Sequence, residues 1–178
     1  MQDIIQNKLF VGRNDQLLIL KAKGHITAKL CFPLRKLFID EIHKYKKNLD
    51  FCVDLSDCSY MDSTFIGILV GIDKKLFSEY NQHLIIINSN QICLNLLKSM
   101  GLCSKLHIMK TNCSKDIKFF KIEENSAVDE AEMMRIVFNA HNDLSEINPE
   151  NKSRFSLLAQ ILKMGMKDKK KDKIIKIK

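Results

Sequence analysis

The 178-residue chain has no tryptophan, two prolines and six glycines, too few of the latter two for a collagen-like or low-complexity chain. It has no uncharged apolar run of about 18 residues, so no membrane-spanning helix is expected. The opening "MQDIIQNKLFVGRNDQ" lacks the basic start, apolar centre and small-residue cleavage site of a secretion signal. Its six cysteines, at 31, 52, 58, 93, 103 and 113, form no C-x-x-C pair and have no histidine at ligand spacing. That argues against a metal site and a disulfide framework. Most lie in apolar runs, where a free thiol acts as a small hydrophobe, and this usage fits a reducing cytoplasm. No G-x-x-x-x-G-K or G-x-G-x-x-G loop is present to cradle a nucleotide. The five histidines (25, 43, 83, 107 and 141) are dispersed without an evident nucleophile to pair with. The expectation is a protein with no cofactor and no catalytic residues.

Charge is also less than it looks. The net charge is +8, but residues 167–178, "KDKKKDKIIKIK", hold seven lysines and two aspartates, leaving +3 on the other 166 residues. Such a tail reads as a solvated, disordered end. The body has no interleaved arginines and aromatics of the single-strand-binding kind, so no specific nucleic-acid partner is expected.

What the chain does have is 46% apolar residues in clear periods, enough for a packed core. "LFVG" and "LLILKAKGHI", separated by a turn at Gly12-Arg13-Asn14-Asp15, predict two paired strands. From Ala28 the period becomes helical, with Leu30, Leu34, Leu37, Phe38 and Ile42 on one face. "FCVDLS" (51–56) is a strand, followed by a helical pattern through Phe65, Ile66, Leu69, Val70, Leu76 and Phe77. "HLIIIN" (83–88), a helix from about Gln91 to Met100 stopped by Gly101, and "KLHIM" (105–109) complete an alternation of strands and helices. This order predicts an α/β domain over residues 1–122. Its mixed sheet would have four or five strands, largely parallel, with the opening hairpin as an antiparallel edge and helices flanking it.

Residues 123–166 differ. A capping signature at Ser126 and Asp129 opens one amphipathic helix, to about Ile147, and Asn148-Pro149 opens a second with Phe155, Leu158, Ile161 and Leu162 on one side. Such helices need a surface: the sheet domain, each other, or a second copy in a weak homodimer. A monomer is the other expectation.

One short stretch, "YMDSTFIG" (60–67), is hard to dismiss. It puts Ser63 at the start of a helix, where backbone N–H groups lack partners and the positive end of the dipole favours an anion. The plain explanation of the hydroxyl is capping, since Ser and Asp satisfy those donors.

With its surroundings, "VDLSDCSYMDSTFIGILVGIDKKL" resembles the central motif of STAS domains, in particular bacterial anti-sigma factor antagonists. There a buried strand leads to D-S-S/T and a helix, and the serine after the aspartate accepts phosphate, which is Ser63 here. The resemblance extends over roughly residues 8–115, taking in the "KGHIT" turn and "LLKSMGLCSKLHIM". It implies the STAS fold and a partner switch. The unmodified protein binds an anti-sigma factor that is also a serine kinase, phosphate on Ser63 releases it, and a metal-dependent serine phosphatase resets it. The alternative is a non-phosphorylated structural subunit of a transporter or signalling complex. Thr64 is the fallback acceptor, and Thr27 flanks the same surface from the earlier loop. Asp62 has two readings, a partner-facing charge or a capping acid. Met61 and Phe65 would be exposed apolar contacts at the rim, Phe65 equally the first core residue of its helix, and Gly67 a place of close approach. Phe65 stands where the family usually has a small residue, and Thr27 where it often has an acid.

Overall fold

A computed structural model describes residues 7–45, 49–111, 117–123 and 129–175, with side chains at 35, 45 and 167–175 apart. Cys113, Ser126 and the side chains of the basic tail lie outside the described residues.

The chain opens with β1 (Lys8–Arg13) and β2 (Leu17–Ile26), an antiparallel pair. The turn between them is held by Asn14, whose Oδ1 accepts from the N–H groups of Gln16 and Leu17 at 2.9 and 2.8 Å. Then come α1 (Ala28–Tyr45), β3 (Asp50–Met61), α2 (Ser63–Tyr80), β4 (Ile85–Ile87), α3 (Gln91–Ser99) and β5 (His107–Met109). β2, β3, β4 and β5 pair in parallel, each through a helical crossover.

Two strands depart from expectation. A short β6 (Phe119–Lys121) brings the sheet to six strands, in the order β5-β4-β3-β2-β1-β6. It pairs antiparallel with β1, so β6 rather than the opening hairpin forms that edge. Three residues without apolar alternation give no strand signal. What admits them is Gly12, read as a turn residue but lying within β1, where a Cβ would stand 2.6 Å from Ile117 Cγ2 and 3.1 Å from the Lys118 carbonyl oxygen. Likewise β3 does not stop at Ser56 but runs on to Met61. Its polar half stays paired with β2 across two register shifts, beside which Gly24 takes a positive φ of 76°. Asp57 on this half meets Lys21 of β2 at 3.0 Å.

The two faces of the sheet are unequal. Leu18, Leu20, Phe51, Val53, Leu55 and Ile86 point into one core with Leu34 and Phe38 of α1, Ile66 and Leu69 of α2, and Leu97 of α3. Alternate residues Ile19, Cys52 and Ile87 face the other way, covered by Ile117 and Phe119. α1, α2 and α3 therefore cover one face of the sheet. Leu96 of α3, on the apolar stripe of its helix, packs only at the margin of this core, half-buried.

The C-terminal helices are α4 (Glu130–Ser145), capped by Asp129, and α5 (Pro149–Ile175). α4 lies on α2 and buries Ile136, Ala140 and Leu144. α5 is tied down at its start: Asn148 Oδ1 accepts from Asn151 N–H at 2.8 Å, and the Asn151 amide donates to the Met100 carbonyl at 3.0 Å. Phe155 is buried, whereas Leu157, Leu158, Ile161 and Met164 are exposed. The expected stripe through Leu158 and Ile161 thus finds no surface on the domain. The helical backbone continues to Ile175, well into the segment whose charge pattern predicts a disordered end.

Candidate functional site

Because β2 and β3 are parallel neighbours, with Ile26 opposite Met61, the starts of α1 and α2 emerge side by side. Asp62 joins them. Its Oδ1 accepts from Phe65 N–H at 2.9 Å, the N-cap bond of α2, and its Oδ2 accepts from Ala28 N–H at 2.8 Å, in the first turn of α1. Its own N–H donates to the Ile26 carbonyl at 3.0 Å. One carboxylate thus serves two helix starts, where its charge also complements both dipoles. Of the two readings of Asp62, the capping acid is the one the geometry shows. The same negative charge, after burial itself, pushes the Cys31 thiol up from its ordinary range.

Ser63 is consequently the first helical residue of α2 and not its cap, so capping does not account for its hydroxyl. That hydroxyl, partly exposed, lies 2.8 Å from Nε2 of His141 in α4. Nδ1 of the same ring is 2.8 Å from the Val137 carbonyl oxygen. A carbonyl can only accept, so Nδ1 carries a proton, and with no second proton on the ring, Nε2 accepts from Ser63 Oγ–H. His141 is itself 3% exposed and packs on Phe155, with ring centroids 5.2 Å apart. Its part in the site is missed by sequence reasoning, because 78 residues separate it from Ser63 and it sits in a helix outside the motif.

The other expected residues divide. Thr27 is half-buried at the end of β2, its carbonyl accepting from Leu30 N–H at 3.0 Å. Met61, Thr64 and Phe65 are buried, at 1%, 4% and 0% exposure. The expected exposed contact at Met61 is therefore corrected to a core residue, since β3 continues to it, and of the two readings of Phe65 the core one holds, the helical period turning it inward. Burial also leaves Ser63 as the more accessible hydroxyl of the pair. Gly67 is indeed a place of close approach, but to α4: a Cβ there would lie 2.2 Å from the Ala140 carbonyl oxygen. Further along, Gly71 faces Asp143, and Lys74 donates to Asp143 Oδ1 at 3.3 Å and Glu146 Oε2 at 2.7 Å. On the open side of the motif stand Tyr60, 42% exposed, and His25, their rings 5.7 Å apart.

Among the described residues no group of three or more His, Cys, Asp or Glu is placed to hold a metal, and no helix is long and apolar enough to cross a membrane.

Comparison with known proteins is decided by structure. No family model matches the sequence, and no curated protein does. The structure is similar to the anti-sigma factor antagonist SpoIIAA in its unphosphorylated form, with TM-score 0.50 and 14% identity over 60% of this chain and 90% of that one. It is similar also to an anti-sigma factor antagonist from Mycobacterium paratuberculosis, with TM-score 0.50 and 16% identity over 62% of this chain and 92% of that one. The chain has the STAS fold. At these identities the likeness concerns the fold, and it takes in nearly all of each neighbour while leaving a large part of this chain outside. Within that STAS fold, the β3–α2 junction with Ser63 is where the distinctive motif lies.

Proposed function

We propose that the protein is an anti-sigma factor antagonist that works as a phosphorylation-controlled partner switch. With Ser63 unmodified it binds an anti-sigma factor that doubles as a serine kinase, a phosphate on Ser63 ends the complex, and a metal-dependent serine phosphatase restores it. The observation that carries this reading is the division of labour at the start of α2. Asp62 satisfies the cap, leaving the Ser63 hydroxyl at a helix N-terminus with no backbone duty. A phosphate there adds about −1.5 to −2 charges at one point of a partner's contact surface, next to a helix start that favours an anion. The partner surface is read as Ser63 with its neighbours Thr27, Tyr60 and His25.

The test is capture of an anti-sigma factor serine kinase from the native cell by wild type, Ser63→Ala and Ser63→Asp. Ser63→Ala should bind as well as wild type and persist in the presence of nucleoside triphosphate. Ser63→Asp should bind at least tenfold more weakly, and equal capture by Ser63→Asp and wild type would end the switch reading. A second reading, a STAS subunit that is never phosphorylated and serves as a structural part of a larger complex, draws support from α4 lying over Ser63. It predicts equal capture and no phosphate on Ser63.

A further inference from the structure

We propose that α4 is held on α2 through Ser63 while that residue is unmodified and is displaced by a phosphate on it, leaving the open side at Thr27, Tyr60 and His25 to the partner. This rests on Ser63 being the acceptor. Ser63, Gly67, Gly71 and Lys74 recur at helical spacing and form one face of α2. α4 occupies that face along its length: His141 at Ser63, Ala140 at Gly67, Asp143 at Gly71, and Asp143 with Glu146 at Lys74. The approach at Gly67 is backbone against backbone, since a Cβ would meet the Ala140 carbonyl oxygen, carbonyl carbon and Cα at 2.2, 2.6 and 2.8 Å.

The hold at Ser63 depends on the hydroxyl proton. Phosphorylation joins Ser63 Oγ to the γ-phosphorus of a nucleoside triphosphate, breaks the β–γ anhydride bond, frees a nucleoside diphosphate and releases the hydroxyl proton to solvent. Oγ then has nothing to donate, and an Nε2 that carries no proton, 2.8 Å away, faces an ester oxygen. Three further phosphoryl oxygens need the space of a ring that is itself 3% exposed and backed by Phe155. The start of α2 favours an anion, but the charged side chains along the α2–α4 seam are mostly acidic. Asp62 is the adjacent residue, and Asp143 and Glu146, which α4 brings to this interface, are acidic and already engaged with Lys74. Modification therefore turns a matched contact into a crowded one, and α4 is the movable side. α4 is the added helix, whereas Ser63 is fixed by β3 and the Asp62 cap.

Hydrogen exchange on the full chain tests this without any partner. Two chains are compared with wild type: one with phosphoserine installed at position 63 during translation, and Ala140→Arg with Ser63 intact, which blocks the seat from the α4 side. Exchange across α4 should rise at least tenfold in both, while β3 keeps its protection. The proposal is overturned if α4 in either chain stays as protected as in wild type or becomes more so, as it would if His141 clamped the phosphate. It is overturned equally if β3 and α4 lose protection together, because the phosphate would then damage the domain and not release α4. Absence of phosphate on Ser63 in cells, or equal kinase capture by Ser63→Asp, would sink the switch reading and leave this exchange result standing, so the two fail separately.

Discussion

Replacing Asp62 by alanine should be the most damaging polar change in the motif. The carboxylate makes two bonds to backbone N–H groups, at 2.9 Å to Phe65 and 2.8 Å to Ala28. Loss of one N-cap costs about 0.5–2 kcal/mol, and a hydrogen bond to a charged group is worth about 1.5–3 kcal/mol. Two helix starts are uncapped at once in a half-buried place, so a loss of about 2–4 kcal/mol follows. For a domain of this size that lowers the melting temperature by roughly 5–15 °C. Asp62→Asn keeps an oxygen for one helix but turns an N–H toward the other, and should lose about 1–2 kcal/mol. Ser63→Ala removes one neutral hydrogen bond and leaves a buried ring nitrogen unpaired, also about 1–2 kcal/mol. Urea unfolding with a shared m-value gives the ranking directly. If Asp62→Ala proves no more costly than Ser63→Ala, or if Asp62→Asn matches wild type, the double-cap assignment is refuted.

Other expectations are quickly checked. Leu55→Ala should cost about 2–5 kcal/mol and half-buried Leu96→Ala clearly less; equal losses in urea unfolding would contradict the placement of Leu96. Gly67→Ala should unseat α4, because the added methyl meets backbone, while α2 itself gains up to about 1 kcal/mol of helix preference. A rise in exchange confined to α4 is the sign of it. Bonding to Lys74 holds the Glu146 carboxyl below its ordinary range of 4.5. A depressed folded value means support for α4 that is present above about pH 4.5 and fades as the pH falls through the folded value. The contribution is small because both side chains are well exposed, and Lys74→Met should remove this acid sensitivity of α4 exchange. Finally, exposed Cys103 should be alkylated in the native protein long before Cys31, whose thiol is raised by burial and by Asp62.

How far the sequence revealed this depended on how local the cause was. α1, α2 and α3 follow from apolar stripes at steps of three and four, and β2 and the first half of β3 from alternation, all settled within one element. β6 and the second half of β3 were not legible, because their pairing is set by a partner strand, by room at Gly12 and by a bulge beside Gly24. At the site, the helix start before Phe65 was readable, but not which residue caps it: Asp62 and Ser63 are both good caps, and reach to Ala28 decides for the acid. Burial of Met61 and Phe65 follows from where the sheet ends. The contact of His141 with Ser63 depends on how α4 packs, which no spacing in the chain encodes.

The account stands most directly on the state of one hydroxyl. Protein purified from its native cell, measured by intact mass and then by fragmentation of the peptide holding Tyr60–Gly67, should show a population bearing a single phosphate, and that phosphate on Ser63. A phosphate confined to another residue, or none under any growth condition in which the protein is made, would contradict it.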